Sequence, residues 1–218
     1  MATDTLAHLG EAMFELATVL SRHGVPYALI GGLATGYHAR PRYTEDIDLL
    51  LDVSPDALPP LLMDLAQCGF IFDDASVRSE WAQDHMAVLE FGGIRIDWLG
   101  TAVACYRRIV DRAQPADWHG KQVRIAAAEG IILTKLIAFR GQDRLDILEL
   151  LYANRGQLDI EYIRQEWETV GEADDPKMLA FDEMLQTTYT PLPKGPAPLP
   201  AHKPADHDPS RPHDGSSP

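Results

Sequence analysis

Eight consecutive positions, Asp46-Ile-Asp-Leu-Leu-Leu-Asp-Val53, constrain this chain more than any other segment. Their aliphatic density, stopped by Ser54-Pro55, reads as a buried β-strand. Side chains on a strand alternate faces, so Asp46 and Asp48 project from one side, about 6 to 7 Å apart at the backbone, while Ile47 and Leu49 enter the core. Two like charges on an apolar strand are costly unless a bound cation, or solvent at a sheet end, compensates them. Hard divalent cations such as magnesium take oxygen ligands and are held by one or two carboxylates together with substrate phosphates. The Asp-x-Asp pair fits that donor set.

The neighbouring sequence sharpens the picture. Upstream, Pro26-Tyr-Ala-Leu-Ile30 reads as a short strand entering Gly31-Gly32, followed by a short helix over Leu33–Ala39 that Pro41 ends. Glycines there let backbone amides approach a triphosphate at a helix N-terminus, where the dipole favours anions. Arg40, Arg42 and Thr44 lie between this unit and Asp46, and two arginines flanking a carboxylate cluster suit a nucleotide phosphate. Downstream, Met86–Phe91 and Ile94–Leu99 form a hairpin across Gly92-Gly93, where glycine tolerates the positive φ of the turn; Glu90 then faces Arg95. Asp97 points away from the face bearing Ile94, Ile96 and Trp98. If its strand lies beside that of Asp46, three carboxylates converge. Such a group can hold two metal ions that activate an attacking oxygen and stabilise a leaving phosphate oxygen, with Asp97 a ligand and also a base toward an incoming hydroxyl. An edge-strand aspartate partnered by Arg95 or water is an equal reading of Asp97 alone.

Elsewhere the pattern alternates α and β, then turns helical. Leu6, Leu9, Met13, Leu16 and Leu20 recur at helical spacing, and His23-Gly24 closes the run. A helix through Leu61, Leu62 and Leu65, a short strand over Gln122–Ile125, and helices over residues 126–140, 142–152, 160–170 and 177–185 complete the order. The expected fold class is α/β (α+β), a small mixed sheet flanked by helices. The expected layout is a core with N-terminal helix over 1–125, a helical part packed on it over 126–188, and a flexible tail over 189–218, where nine of the 16 prolines fall. That tail has too little apolar side chain to offset the entropy of ordering. Its three basic and three acidic residues cancel, so the net charge of −14 belongs to the body. This disfavours coating of nucleic acid by bulk electrostatics. Cys68 and Cys105 are too few and too distant for a disulfide framework; reduced thiols, with Cys68 buried, are expected. No apolar run approaches the ~20 residues of a membrane span, so a cytoplasmic location is expected.

Several charged residues carry two readings. Lys135 lies on an apolar helix, where its stem can pack while the ammonium reaches solvent, an acid or a substrate. Asp143 can cap the following helix or pair with Arg140, and Asp146 can pair locally. Arg107, Arg108 and Arg112 read as a solvated helix face, or as a contact for nucleic acid. The histidines show no metal-ligand spacing, and no Ser-His-Asp arrangement or P-loop is present.

Ile30-Gly31-Gly32, thirteen residues, then Asp46-Ile47-Asp48-Leu49 resembles the signature of the DNA polymerase beta-like nucleotidyltransferase superfamily. Arg42-x-Thr44-x-Asp46-Ile-Asp48, and Lys135 through Arg140, Asp143 and Asp146, further resemble its bacterial stand-alone branch with the AbiEii-type toxins. The resemblance covers roughly residues 25–152. It implies an enzyme that moves a nucleoside monophosphate from a nucleoside triphosphate to an acceptor hydroxyl, with Asp46, Asp48 and Asp97 holding two magnesium ions, or manganese. It further implies that Gly31 and Gly32 cradle phosphates, that Arg42, Thr44 and Lys135 contact the nucleotide, and that Asp143 sits near the site. Its partners would be a tRNA or protein acceptor and a cognate antitoxin. A small-molecule nucleotidyltransferase of the antibiotic-modifying kind, or an inactive member serving as a binding partner, is the alternative. Two departures stand out: Leu33 follows the glycine pair where many active members carry Ser or Thr, and the chain is shorter than the toxins.

Overall fold

The computed structural model describes residues 2–189 except positions 42, 119, 120 and 173, with side chains from residue 8 onward. Arg42 and the proline-rich stretch after Tyr189 therefore lie outside the described residues. In chain order the elements are α1 (Ala2–Arg22), β1 (Tyr27–Ile30), α2 (Gly31–His38), β2 (Asp46–Leu51), α3 (Leu58–Gln67), α4 (Asp74–Asp84), β3 (Met86–Phe91), β4 (Ile94–Gly100), α5 (Ala104–Asp111), β5 (Gln114–Trp118), β6 (Lys121–Ile125), α6 (Ala128–Ala138), α7 (Gly141–Ala153), α8 (Ile160–Trp167) and α9 (Pro176–Tyr189).

The strands form one mixed sheet in the order β3-β4-β2-β1-β6-β5. β2 is central, antiparallel to β1 and parallel to β4. Paired on both sides and packed on both faces, it buries Ile47, Leu49, Leu50 and Leu51 completely, which is why its sequence is a near-continuous aliphatic run. β3 is an edge strand with one solvated face, and its burial alternates residue by residue. The hairpin joining β3 and β4 has the expected register, Glu90 opposite Arg95. Helix α1 lays Leu9, Met13, Leu16 and Leu20 against the sheet, each essentially inaccessible to solvent. Side chains of α6, α7, α8 and α9, among them Ile132, Leu150, Ile163 and Phe181, join the same apolar core as the strands.

Three features differ from the sequence expectation. Strand β5 escapes notice because Pro115 breaks the usual strand composition; the structure accommodates it on the outer edge of the sheet, where a missing amide donor is tolerated. Helix α4 buries only Val77 and Trp81 and so carries almost no apolar periodicity; its start is marked by Asp73, which accepts a hydrogen bond from the Ser76 amide at 2.7 Å. Cys68 is half-buried, and it is Cys105 that is enclosed; both thiols are free. Among the described residues no helix is long and apolar enough to cross a membrane.

Candidate active site

Strand pairing builds the site. On one side of β2, Asp48 sits opposite Ile30, the last residue before Gly31; on the other it sits opposite Asp97 of β4. Asp46 lies two residues earlier on the same face. The three carboxylates, all half-buried, each present an oxygen within 4.8 Å of the others. The convergence expected from the period-two pattern is thus realised.

Gly31 opens α2 with φ +64, and its missing side chain is what makes room. A Cβ built there would meet Asp48 Oδ2 at 1.8 Å and Cγ at 2.5 Å. The Asp48 carboxylate therefore occupies the volume that any other residue at position 31 would fill, and it accepts a hydrogen bond from the Gly32 amide. Burial, together with the charges of Asp46 and Asp97, pushes the Asp48 carboxyl up to about 6, against the easing influence of Lys135 and the Gly32 amide. Thr44 donates to Asp46 Oδ1 at 2.5 Å. Asp97 is gripped by the Arg95 guanidinium, with Nη2 at 2.7 Å from Oδ1 and Nε at 2.9 Å from Oδ2. Asp97 is a member of the cluster and is partnered by Arg95; its strand is not at the edge of the sheet, as the second reading had it, but lies between β3 and β2.

Lys135 is 6% exposed. Its ammonium lies 2.6 Å from Asp146 Oδ2 and 3.4 Å from Asp143 Oδ1. Asp146 also accepts from Gln142 Nε2 at 2.8 Å. Asp143 caps α7 by accepting from the Arg140 amide at 2.8 Å and pairs with Arg140 Nε at the same distance. Burial alone would raise the Asp143 carboxyl, but the Arg140 hydrogen bonds and the charges of Lys135 and Arg140 outweigh it and hold it below the ordinary carboxylate range. This second cluster touches the first electrostatically, since Lys135 eases the ionisation of Asp48 and Asp48 supports the charge on Arg140. Asp146 is the residue that sequence reading undervalues. Its partner is across the turn on α6, and the available signal is that Asp143 and Asp146 share a face of α7.

The arginines on and just after α5 are each engaged within the chain. Arg107 pairs with Asp52 through both terminal nitrogens. Arg108 Nε bonds Glu166 at 2.5 and 2.6 Å, and Arg112 lies 3.9 Å over the Tyr162 ring. The hydroxyl nearest the glycine pair, that of Thr35, is fully buried and donates to Gly31 O at 2.8 Å.

A hard cation suits the first cluster. Its ligands are carboxylate oxygens without sulfur or imidazole, the donor chemistry of magnesium or manganese, and the raised Asp48 carboxyl marks negative charge that a cation would relieve.

Comparison with family models and with curated proteins finds no match. Similar solved structures include a nucleotidyltransferase-like antigenic protein from Paracoccidioides brasiliensis, 18% identical over 83% of this chain and 88% of that one, with a TM-score of 0.45. They also include ANT(2")-Ia in complex with adenylyl-2"-tobramycin, 15% identical over 84% and 99%, with a TM-score of 0.44. A third is a tRNA-processing enzyme, 13% identical over 72% and 46%, with a TM-score of 0.36. The chemistry open to the site is set by its own side chains.

Proposed function

We propose that this chain is a metal-dependent nucleotidyltransferase. The observation that carries the reading is the placement of Asp46, Asp48 and Asp97 within 4.8 Å of one another directly against the Gly31-Gly32 opening of α2. In the reaction, an acceptor hydroxyl oxygen attacks the α-phosphorus of a nucleoside triphosphate. The bond from that phosphorus to the oxygen bridging to the β-phosphate breaks, and pyrophosphate leaves. The hydroxyl proton passes to a carboxylate of the cluster or to water, and Asp97, aimed by Arg95, is our candidate base. A divalent cation, when held by Asp46, Asp48 and Asp97, supplies positive charge to the phosphates and makes the acceptor hydroxyl easier to deprotonate. Gly31 and Gly32 bring the α2 amides close to the phosphates. Thr44 orients Asp46 through its 2.5 Å hydrogen bond. Lys135 contributes positive charge that Asp48 feels, and Asp143 and Asp146 fix its position. Positioning and charge neutralisation then supply most of the acceleration.

The acceptor is narrowed by charge. The chain carries −14, and Arg107, Arg108 and Arg112 are committed to Asp52, Glu166 and Tyr162. Phosphate contacts dominate RNA binding, so we favour a protein or small-molecule hydroxyl over a transfer RNA end. Incubation with magnesium, labelled triphosphates, and RNA, protein or aminoglycoside-type acceptors tests this. Label is expected in one of the latter two, and lost in Asp46→Ala and Asp48→Ala; wild-type transfer by either variant overturns the enzyme reading. In the toxin form of the proposal, expression of the wild type arrests growth and Asp48→Ala does not.

A second reading, an inactive member that serves as a binding partner, draws on the start of α2. Leu33 follows the glycines and the Thr35 hydroxyl is turned back onto Gly31, so the first turn offers a phosphate its amides alone. No label in any acceptor, with the folded chain intact, supports that reading.

A further inference from the structure

An apolar groove of about 610 Å³ runs between the end of α2 and the second half of α7, floored by Ala39, Pro41, Leu148, Tyr152 and Ala153 with Arg40 and Glu149 also lining it. Its walls are tied together: Asn154 Nδ2 donates to both His38 O, at 3.0 Å, and Leu150 O, at 2.9 Å. Tyr152 is 52% exposed in this concave surface, an aromatic ring left facing solvent.

The last described helix ends beside the C-terminal end of α7. Helix α9 ends at Tyr189, whose carbonyl accepts from Arg155 Nη2 at 2.8 Å and whose hydroxyl accepts from the Gly156 amide at 3.2 Å. Arg155 also stands over the Tyr189 ring, 5.6 Å from its centre. The exit point is therefore fixed to the residues immediately following Tyr152 and Ala153. Beyond Thr190 the sequence continues Pro191-Leu-Pro-Lys-Gly-Pro-Ala-Pro-Leu-Pro200.

We propose that this proline-rich segment of the same chain docks in the groove beside Tyr152. Alternating prolines pre-set a polyproline II backbone, so docking costs little ordering entropy, and aromatic-lined grooves are the surfaces that recognise it. Leu192 and Leu199 supply the apolar side chains, and Lys194 offers a charge to Glu149. Reach is ample: at ~3.1 Å per residue the ten residues extend ~31 Å, while the α7 wall from Leu148 to Ala153 rises only ~8 Å at ~1.5 Å per residue. A short tether sets an effective concentration in the millimolar range, so even a groove of ~1 mM intrinsic affinity is substantially occupied. The groove and the exit point carry this inference independently of the proposed activity.

Disulfide trapping in the full chain tests it. In a Cys68→Ser background, with Cys105 enclosed, Ala153→Cys places a thiol in the groove and Gln157→Cys places one near the same exit but off it. Each is combined in turn with Leu192→Cys, Ala197→Cys and Leu199→Cys. The expected result is an intrachain cross-link that forms about tenfold faster with Ala153→Cys than with Gln157→Cys, as a local concentration gain requires. It should favour one tail position and fall to the Gln157→Cys rate when Tyr152→Glu is added, with the fold checked by circular dichroism. Equal rates at the two sites, insensitivity to Tyr152→Glu, or a cross-linked dimer as the main product overturns the proposal, the last by pointing to a second copy as the source of the segment.

Discussion

Asp46, Asp48 and Asp97 gather three half-buried carboxylates with one exposed arginine, Arg95, on Asp97, whereas Asp143 and Asp146 enclose the buried ammonium of Lys135 and add Arg140 and Gln142. The two groups are neighbours with opposite electrostatic balance. In the first, burial and mutual repulsion raise the Asp48 carboxyl to about 6. In the second, basic partners overcome burial and depress that of Asp143. An acidic cluster that answers its own charge is a structural fixture, and one that does not could hold a cation. That difference, more than the count of acids, separates a candidate reaction centre from its support.

The largest expected effects come from unbalancing the satisfied cluster. Lys135→Met removes the ammonium shared by two buried carboxylates, with Arg140 left to Asp143 alone, and Asp146→Ala leaves the ammonium with Asp143 at 3.4 Å as its remaining carboxylate. Removing one partner of a buried pair costs about 3 to 5 kcal/mol, a loss readable by urea denaturation. A cost below about 1 kcal/mol for either, the range of exposed pairs, would erase the distinction between the clusters.

The unsatisfied cluster should respond with the opposite sign. Asp48→Asn keeps an acceptor for the Gly32 amide while removing one of three mutually repelling charges. In the presence of a chelator it should stabilise the protein, by about 1 to 2 kcal/mol after discounting the ~1.4 kcal/mol that each pKa unit represents. Magnesium should raise the melting temperature of the wild type by binding the folded state and leave that of Asp48→Asn unmoved. Thermal melts with chelator and with magnesium read both effects, and a destabilised Asp48→Asn would show that the cluster is balanced by groups other than a cation.

Sequence makes one cluster legible and the other only in part: the Asp143 cap and its Arg140 pair can be read along α7, but not the meeting of Lys135 with Asp146. Asp46, Asp48 and Asp97 follow from period-two alternation, and Gly31 from a strand that ends in glycine; only the pairing of β4 beside β2 has to be supplied by the fold. The Lys135–Asp146 contact depends on a helix-to-helix turn through Phe139 in the left-handed region, φ 52, which no local pattern announces. The α5 arginines are harder still, because their partners Asp52 and Glu166 lie 55 and 58 residues away. Helix α4 and strand β5 escape a pattern reading because two lone buried side chains and a proline erase the periodicities on which it rests.

A smaller effect concerns acid. The folded-state value of Asp143 lies below its ordinary one, so its contribution is fully present above the unfolded value of about 3.9 and is lost as pH falls through the folded value. Asp143→Asn keeps an oxygen for the Arg140 amide and removes the charge. Its stability deficit relative to wild type should be greatest near neutrality and shrink below about pH 4. A deficit that persists unchanged into acid would assign the role of Asp143 to hydrogen-bond geometry alone.

The smallest effect separates buried from exposed pairing on α5. Arg107 has 58% of its side chain in solvent and Asp52 22%, while the Glu166 carboxylate that Arg108 holds is only 8% exposed. Screening by water and salt limits an exposed pair to about 0 to 1 kcal/mol, so Arg107→Ala should cost no more than that, and less at 1 M salt, where the screening length falls to about 3 Å. Arg108→Ala strands a buried carboxylate and should cost more, with weaker salt dependence. Denaturation of both variants at low and high salt measures the contrast. Equal, salt-sensitive costs would mean that both arginines are solvated charges, which would restore α5 as a surface that a polyanionic acceptor can use.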